Sequence, residues 1–258
     1  MKQPLAYIHP AAKIAPSVVI DPFVTIEENV EIGEVTSIGS NVTIMSGARI
    51  GKNVTIFPGA VVSAVPQDLK FQGEDTVAII GDNTILRECV TVNRGTAAKG
   101  KTIVGKNCLI MAYCHVAHDC TVGDNVIMSN ATQLAGEVIV DNFAVIGGGA
   151  LVHQFCHIGP HVMIQGGALI NKDIPPFVKA AREPIAYTGI NSIGLRRRNF
   201  SNDTIREIQE IYRYLYLSGL NNSDAIERIE AELPATKERD EIIMFVRNSK
   251  RGIIRGYV

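Results

Sequence analysis

The sequence predicts a parallel β-solenoid, a triangular prism of six-residue repeats, closed at one end by a small helical cap. Three observations carry this. An aliphatic residue recurs every six positions over most of the chain, a small residue stands two places before it, and the periodicity becomes helical after residue 191.

From Ile8 the six-residue step meets Ile14, Ile20, Ile26, Ile32, Ile38, Ile44, Ile50, Ile56 and Val62. The phase returns at Ile80, Leu86 and Val92. It then runs from Val104 through Ile110, Val116, Val122, Met128, Leu134, Val140, Ile146, Val152, Ile158 and Ile164 to Ile170. Of these 25 positions, 24 are Ile, Val or Leu. Two places earlier stand Val18, Val24, Val42, Ala48, Cys108, Thr132, Ala144 and their equivalents. One large and one small inward residue per hexad describe a very short strand followed by a turn. Such strands cannot build a sandwich without hairpin signals, but they can stack coil on coil at ~4.8 Å. Three hexads, 18 residues, close one triangular coil. Gly follows the aliphatic residue at Gly33, Gly39, Gly51, Gly81, Gly105, Gly123, Gly147 and Gly159, read here as the demand of a tight turn.

The same phase disposes of four cysteines. Cys108, Cys114, Cys120 and Cys156 occupy the small inward position, which assigns them to packing rather than catalysis. Cys89 is out of phase and has no neighbour that marks it as a nucleophile. Two stretches lack hexad character, one between Val62 and Ile80 and one between Val92 and Val104. Both keep the phase in length, so the core is expected to continue around them, leaving two loops free for function.

The prism is expected to end near Asp173-Ile174-Pro175-Pro176, and the division into units falls at 1–190 and 191–258. Ile205, Ile208, Ile211, Tyr212 and Leu215 form a helical stripe over 202–218, with Ser201 as N-cap and Gly219 as stop. Residues 223–233 and 237–250 read as two more helices.

Composition narrows the class. With 25 basic and 26 acidic residues among 258, the formal net charge is -1, which argues against bulk nucleic-acid binding. No window is apolar enough for a transmembrane helix, and the N-terminal residues lack a secretory apolar core. Five cysteines without scaffold spacing fit a reducing cytoplasm.

The strongest polar constellation is His115-Val116-Ala117-His118-Asp119. Val116, Leu134 and Val152 are 18 apart, so their turns stack, placing His115, His118, Glu137, His153 and Gln154 on one vertical strip facing outward. A histidine beside a carboxylate suits general-base work, since its ordinary pKa of ~6.5 lets it accept a proton near neutrality. Gly136, one coil away, offers a backbone N–H to a developing oxyanion. His118 and His153, with a third ligand from a neighbour, would also suit zinc.

The segments QDLKFQGE (67–74), VNRGT (92–96), HVAHDCTVGD (115–124), LAGEVIVDNFAVIGG (134–148), VHQFCHIGPHVM (152–163) and GLRRRNFS (194–201) together resemble the UDP-N-acetylglucosamine O-acyltransferases. The resemblance spans nearly the whole chain and implies a left-handed parallel β-helix with a C-terminal α-helical cap. It implies acyl transfer from a 3-hydroxyacyl-acyl carrier protein to the 3-hydroxyl of UDP-N-acetylglucosamine in a cytoplasmic homotrimer with sites between subunits, and no metal or cofactor. His118 takes the place of the general base, Asp119 of its orienting partner and Gly136 of the oxyanion donor. Gln67, Asp68, Lys70, His115, Glu137, His153, Gln154, Met163 and Gly166 fall on positions lining the sugar and acyl pocket. Asn191, Arg197 and Arg198 fall on positions contacting the nucleotide or pantetheine.

Three residues depart from the pattern: Glu137 and Pro184 each stand in place of a histidine, and Ile193 in place of a carboxylate. Gly166, where larger residues shorten the acyl chain, implies a chain of fourteen carbons or more. Two rivals remain, a zinc-dependent hydratase on the same prism and the related N-acyltransferase. The latter carries an extra N-terminal domain, whereas hexads here begin at Ile8.

Overall fold

The computed structural model describes residues 5–256. Short parallel strands, most of them two residues long, stack into three sheets that form the faces of a prism. Val116 pairs with Leu134, and Leu134 with Val152, so each coil advances 18 residues as the repeat requires. The coils wind left-handed. The usual right-handed rule comes from twisted strands feeding a long crossover, and two-residue strands joined by four-residue corners carry too little twist to impose it.

The six-residue aliphatic positions are the core: Ile26, Ile44, Val62, Leu86, Ile110, Val116, Leu134 and Ile146 are fully buried. The small inward positions accept Thr and Cys because the coil offers a partner for the polar atom. The hydroxyls of Thr36 and Thr84 donate to the carbonyls of Gly51 and Gly105 at 3.0 and 2.7 Å. The thiols of Cys108, Cys114 and Cys120 reach the carbonyls of Gly123, Ser129 and Ala135, each at 3.1 Å. Burial pushes these three thiols up to about 11, 11 and 12, and that of Cys156 to about 11, which leaves them inert as nucleophiles.

The corners correct one expectation. The glycines after the aliphatic residue are not the left-handed turn positions. That role falls two residues later, to Asn41, Asn53, Asn83, Asn107 and Asn125, with φ between 52° and 60°. Asparagine suits it because its side chain tolerates this region. The glycines serve coil stacking instead: a β-carbon at Gly81 would lie 2.6 Å from the carbonyl carbon of Gly105.

Both interruptions leave the prism at the same corner. Strand Val61–Ala64 pairs with Thr91–Asn93, which pairs with His115–Val116; on the next face Val77–Ile80 pairs with Lys101–Val104, which pairs with Thr121–Val122. The 65–76 loop, the 94–100 loop and the 117–120 corner therefore belong to three consecutive coils.

Beyond Ile170 the chain adds strand Val178–Ala181 and turns back antiparallel through Ala186–Ile190. Four helices follow: α1 (Ser192–Arg197), α2 (Asn202–Leu217), α3 (Asn222–Glu232) and α4 (Lys237–Asn248). Ser201 caps α2 by accepting the Thr204 N–H at 3.0 Å. The short α1 and the final strand Arg255–Gly256, which pairs with Ala186 and Tyr187, went unread in the sequence. Tyr212, fully buried in α2, fastens the cap to the prism by donating to the Pro176 carbonyl at 2.6 Å. No helix among the described residues is long and apolar enough to cross a membrane.

Candidate active site

The shared corner gathers the polar strip. Asp119 occupies its left-handed position, at φ 61°, and its side chain is fully buried. Expecting every turn residue to face outward was wrong here, because the 94–100 loop folds over this corner. The carboxylate accepts the Thr96 N–H at 3.0 Å on Oδ1 and the Thr96 hydroxyl at 2.6 Å on Oδ2. Its backbone N–H donates to Thr102 Oγ1 at 2.8 Å. His118 Nδ1 lies 2.9 Å from Asp119 Oδ2, with 18% of the His118 side chain exposed.

Burial by itself pushes the Asp119 carboxyl up, but the bonds from Thr96 and His118 outweigh it and hold the group below the usual carboxylate value. An ionised carboxylate only accepts, so Nδ1 of His118 is assigned the proton and Nε2 keeps its lone pair. The Cε1–Nε2 edge of the ring lies over Gly136, where a β-carbon would sit 2.6 Å from both atoms. The Gly136 N–H has no partner among the described residues, like those of His118 and Gln154 one coil to either side, whereas the N–H of Lys106 and of Asp124 at the equivalent position is taken by a side chain from the next coil. The Nε2 edge of His118 thus lies beside a glycine whose N–H is free among the described residues.

His115 sits half-buried on the adjoining strand, bonded to Thr91 at 2.7 Å. Burial, then the charge of His118, lowers its pKa, so it is neutral near neutrality. Glu137 also takes the left-handed position, at φ 61°, and forms an ion pair with Lys99 at 3.7 Å. His153 and Gln154 are exposed one coil further on. Of the 65–76 loop, Gln67 and Lys70 are exposed and Asp68 half-exposed; no hydrogen bond or ion pair among the described residues joins them to His118.

Other candidates lie elsewhere on the chain. Met163 is exposed on the third face and Gly166 at the corner that follows it. Asn191 is buried, donating to the His161 carbonyl at 2.9 Å and capping α1 at Gly194. Arg198 spans to Phe143, donating to its carbonyl at 3.0 Å, while Arg197 is exposed with no partner among the described residues. One chain does not unite these residues with His118. No three His, Cys, Asp or Glu side chains among the described residues come together as a metal site needs.

Sequence reasoning passed over Thr96, Lys99 and Thr102. The signal was available: both interruptions fall between the same two faces, which places the 94–100 loop one coil before His118.

Residues 173–254 match the family described as Udp N-acetylglucosamine O-acyltransferase, domain 2, and 101–136 match the bacterial transferase hexapeptide (six repeats). Residues 2–103 match the GMPPB C-terminal domain. An acyl-[acyl-carrier-protein]–UDP-N-acetylglucosamine O-acyltransferase of Halorhodospira halophila is 43% identical over 197 residues, 76% of each chain. The protein of the same name from Syntrophobacter fumaroxidans is 47% identical over 192 residues, 74% of each. The chain belongs to the UDP-N-acetylglucosamine O-acyltransferase family. The solved UDP-N-acetylglucosamine acyltransferase of Bacteroides fragilis superposes with a TM-score of 0.97 at 58% identity, over 99% of this chain and 100% of that one. That of Francisella novicida gives 0.95 at 40% identity, over 98% and 93%. Membership of this family, rather than of the N-acyltransferase or hydratase rivals, agrees with the O-acyltransferase motifs read along the sequence.

Proposed function

We propose that this enzyme transfers a 3-hydroxyacyl group from acyl carrier protein to the 3-hydroxyl of UDP-N-acetylglucosamine, the first step of lipid A synthesis, with His118 as general base. The observation that carries the base assignment is the His118–Asp119 pair with its Nε2 edge against Gly136, whose N–H is free among the described residues. Nε2 takes the proton of the sugar hydroxyl as its oxygen attacks the thioester carbonyl. The Gly136 N–H meets the charge that develops on the carbonyl oxygen. Collapse of the tetrahedral intermediate expels the carrier's thiolate, which recovers the proton from the imidazolium. Asp119, held ionised, stabilises that imidazolium and keeps the ring in the useful tautomer.

The separation of His118 from Met163, Gly166 and Arg197 within one chain supports a homotrimer in which a neighbour supplies the other wall. In that assembly Gln67, Asp68 and Lys70 face the neighbour's histidines, and His115, Glu137, His153 and Gln154 line the sugar and acyl pocket. Arg197 and Arg198 offer guanidinium forks to phosphate, and a basic rim steers an acidic carrier. Asn191 acts there through the position it gives α1. Five free thiols support a reducing, cytoplasmic setting.

Chelator-treated protein incubated with UDP-N-acetylglucosamine and carrier bearing 3-hydroxyacyl chains of graded length should acylate the sugar without added metal. With no side chain at Gly166, activity should peak at fourteen carbons or longer; a peak at ten would remove the assignment of Gly166 as the chain gauge. His118→Ala should lower kcat by about 10³-fold or more with the oligomer intact. Near-native turnover in that variant would eliminate His118 as the base.

A further inference from the structure

The 94–100 loop spends its polar groups on one residue. Thr96 Oγ1 accepts the Ala98 N–H at 3.2 Å, so its own proton is directed to Asp119 Oδ2 at 2.6 Å. The Thr96 N–H takes Oδ1 at 3.0 Å. Two donors from one residue, one on each oxygen, set the plane of the carboxylate, and Oδ2 is thereby aimed at His118 Nδ1. Without them, an aspartate carboxylate turns freely about its last torsion.

The loop is in turn braced. Thr76 donates to the Gly95 carbonyl at 2.6 Å, and the Gly100 N–H donates to the Thr96 carbonyl at 2.7 Å. Lys99 reaches the Asp119 carbonyl at 3.2 Å and the Glu137 carboxylate at 3.7 Å, bridging the corner that holds the dyad to the corner one coil further on. At Gly95 a β-carbon would lie 2.2 Å from the Lys101 nitrogen, so the loop admits only glycine where it doubles back. Thr96 itself is 7% exposed and is shielded from substrate.

Resting on the acyltransferase reading above, we infer that Thr96 is a positioning residue, which acts through Asp119 to hold His118 in the Nδ1-protonated, Nε2-basic state. Lys99 and Glu137 clamp the loop that carries it. Glu137, a departure from the family pattern, thereby gains a role on the near side of the site: it is the counter-charge for Lys99.

Thr96→Val keeps the shape and removes the hydroxyl; Thr96→Ser keeps the hydroxyl. In Thr96→Val, kcat should fall about 10- to 100-fold while KM for either substrate moves less than about threefold. The ¹⁵N resonances of His118 should move from one dominant Nδ1-protonated form to a tautomer mixture. Thr96→Ser should restore both readouts, and Thr96→Ala carries the same expectation as valine if valine does not fold. A kcat within about threefold of native, a loss that serine does not recover, or an unchanged tautomer would each overturn the inference. The tautomer measurement needs no turnover. If the native protein transferred no acyl group, the functional reading would fall, and the spectra of native, Val and Ser proteins would still decide whether Thr96 orients the dyad.

Discussion

At Gly136 a β-carbon would meet Cε1 and Nε2 of His118 at 2.6 Å, so the absence of a side chain there leaves room for the imidazole. Gly136→Ala should therefore push the ring aside without disturbing the core. The obstructing atoms belong to the far end of a movable side chain, so the melting temperature should shift by no more than a few degrees while kcat drops about 100-fold. Loss of both in proportion would mean that Gly136 serves the coil and not the chemistry. His161 makes a second case at this scale. Burial first, then the charges of Arg198 and Lys237, lowers its pKa to about 4, and its Nδ1 has no partner. Between the ordinary value of 6.5 and about 4, the unfolded chain binds a proton that the folded chain refuses. Its contribution to stability is present above pH 6.5 and is lost as pH falls through that window, by on the order of 3 kcal/mol. His115, also lowered, adds the same sign. Asp119, lowered from the carboxylate value, keeps its contribution until pH falls below about 4. Urea titrations from pH 7 to pH 4 should show this slope, and His161→Phe, which keeps a ring between Phe143 and Phe177, should flatten it.

The repeating element is a hexad in which each residue has one task. The aliphatic residue fills the core, the small residue two places earlier fits beside it, and the left-handed position turns the corner. The glycine between them lets the next coil approach. At Gly81 the crowding atoms are all backbone, from Gly105 and Lys106, and cannot rotate away. Gly81→Ala should cost about 1–3 kcal/mol in chemical denaturation, the usual range for overpacking. A change below about 0.5 kcal/mol would show that the coil spacing relaxes instead. The same arithmetic explains the site. A corner residue normally exposed becomes buried where other chain covers it, and Asp119 is such a residue, lying one coil beyond the 94–100 loop.

For the molecule as a whole, the cap and prism share their fastenings. Asp173 ends the repeat region, accepting the His157 N–H on Oδ1 at 2.8 Å and the Ser249 hydroxyl on Oδ2 at 2.6 Å. Its backbone exchanges hydrogen bonds with Gly252 and Ile254, and Tyr216 donates to the Ile254 carbonyl at 3.0 Å. We propose the division at 190/191 as a change of architecture rather than of folding unit, because the last described strand returns to pair with Ala186 and Tyr187. His118 lies at the corner between the first two faces, whereas Arg198 beside Arg197 rests on Phe143 at the next corner, and this separation is the whole-molecule reason for proposing that sites are completed between subunits.

Sequence periodicity alone determined the prism, its three-hexad coil, the inward set and the stacking of His118, Gly136 and Gln154. A parallel solenoid contacts only its neighbouring coils, so spacing along the chain becomes position in space. It also determined helix α2 with its Ser201 cap, where local propensity and a buried stripe agree. Spacing could not reach what happens where the repeat breaks. The path of the 94–100 loop, the burial of Asp119 and the hold of Thr96 and Lys99 depend on backbone conformations with no period. Only the tertiary structure decided them, as it decided that the corner glycines serve close stacking and that residues 255–256 return to the sheet. Periodic contacts are written in the sequence as intervals, whereas a loop's partners are set by which buried polar groups still lack one.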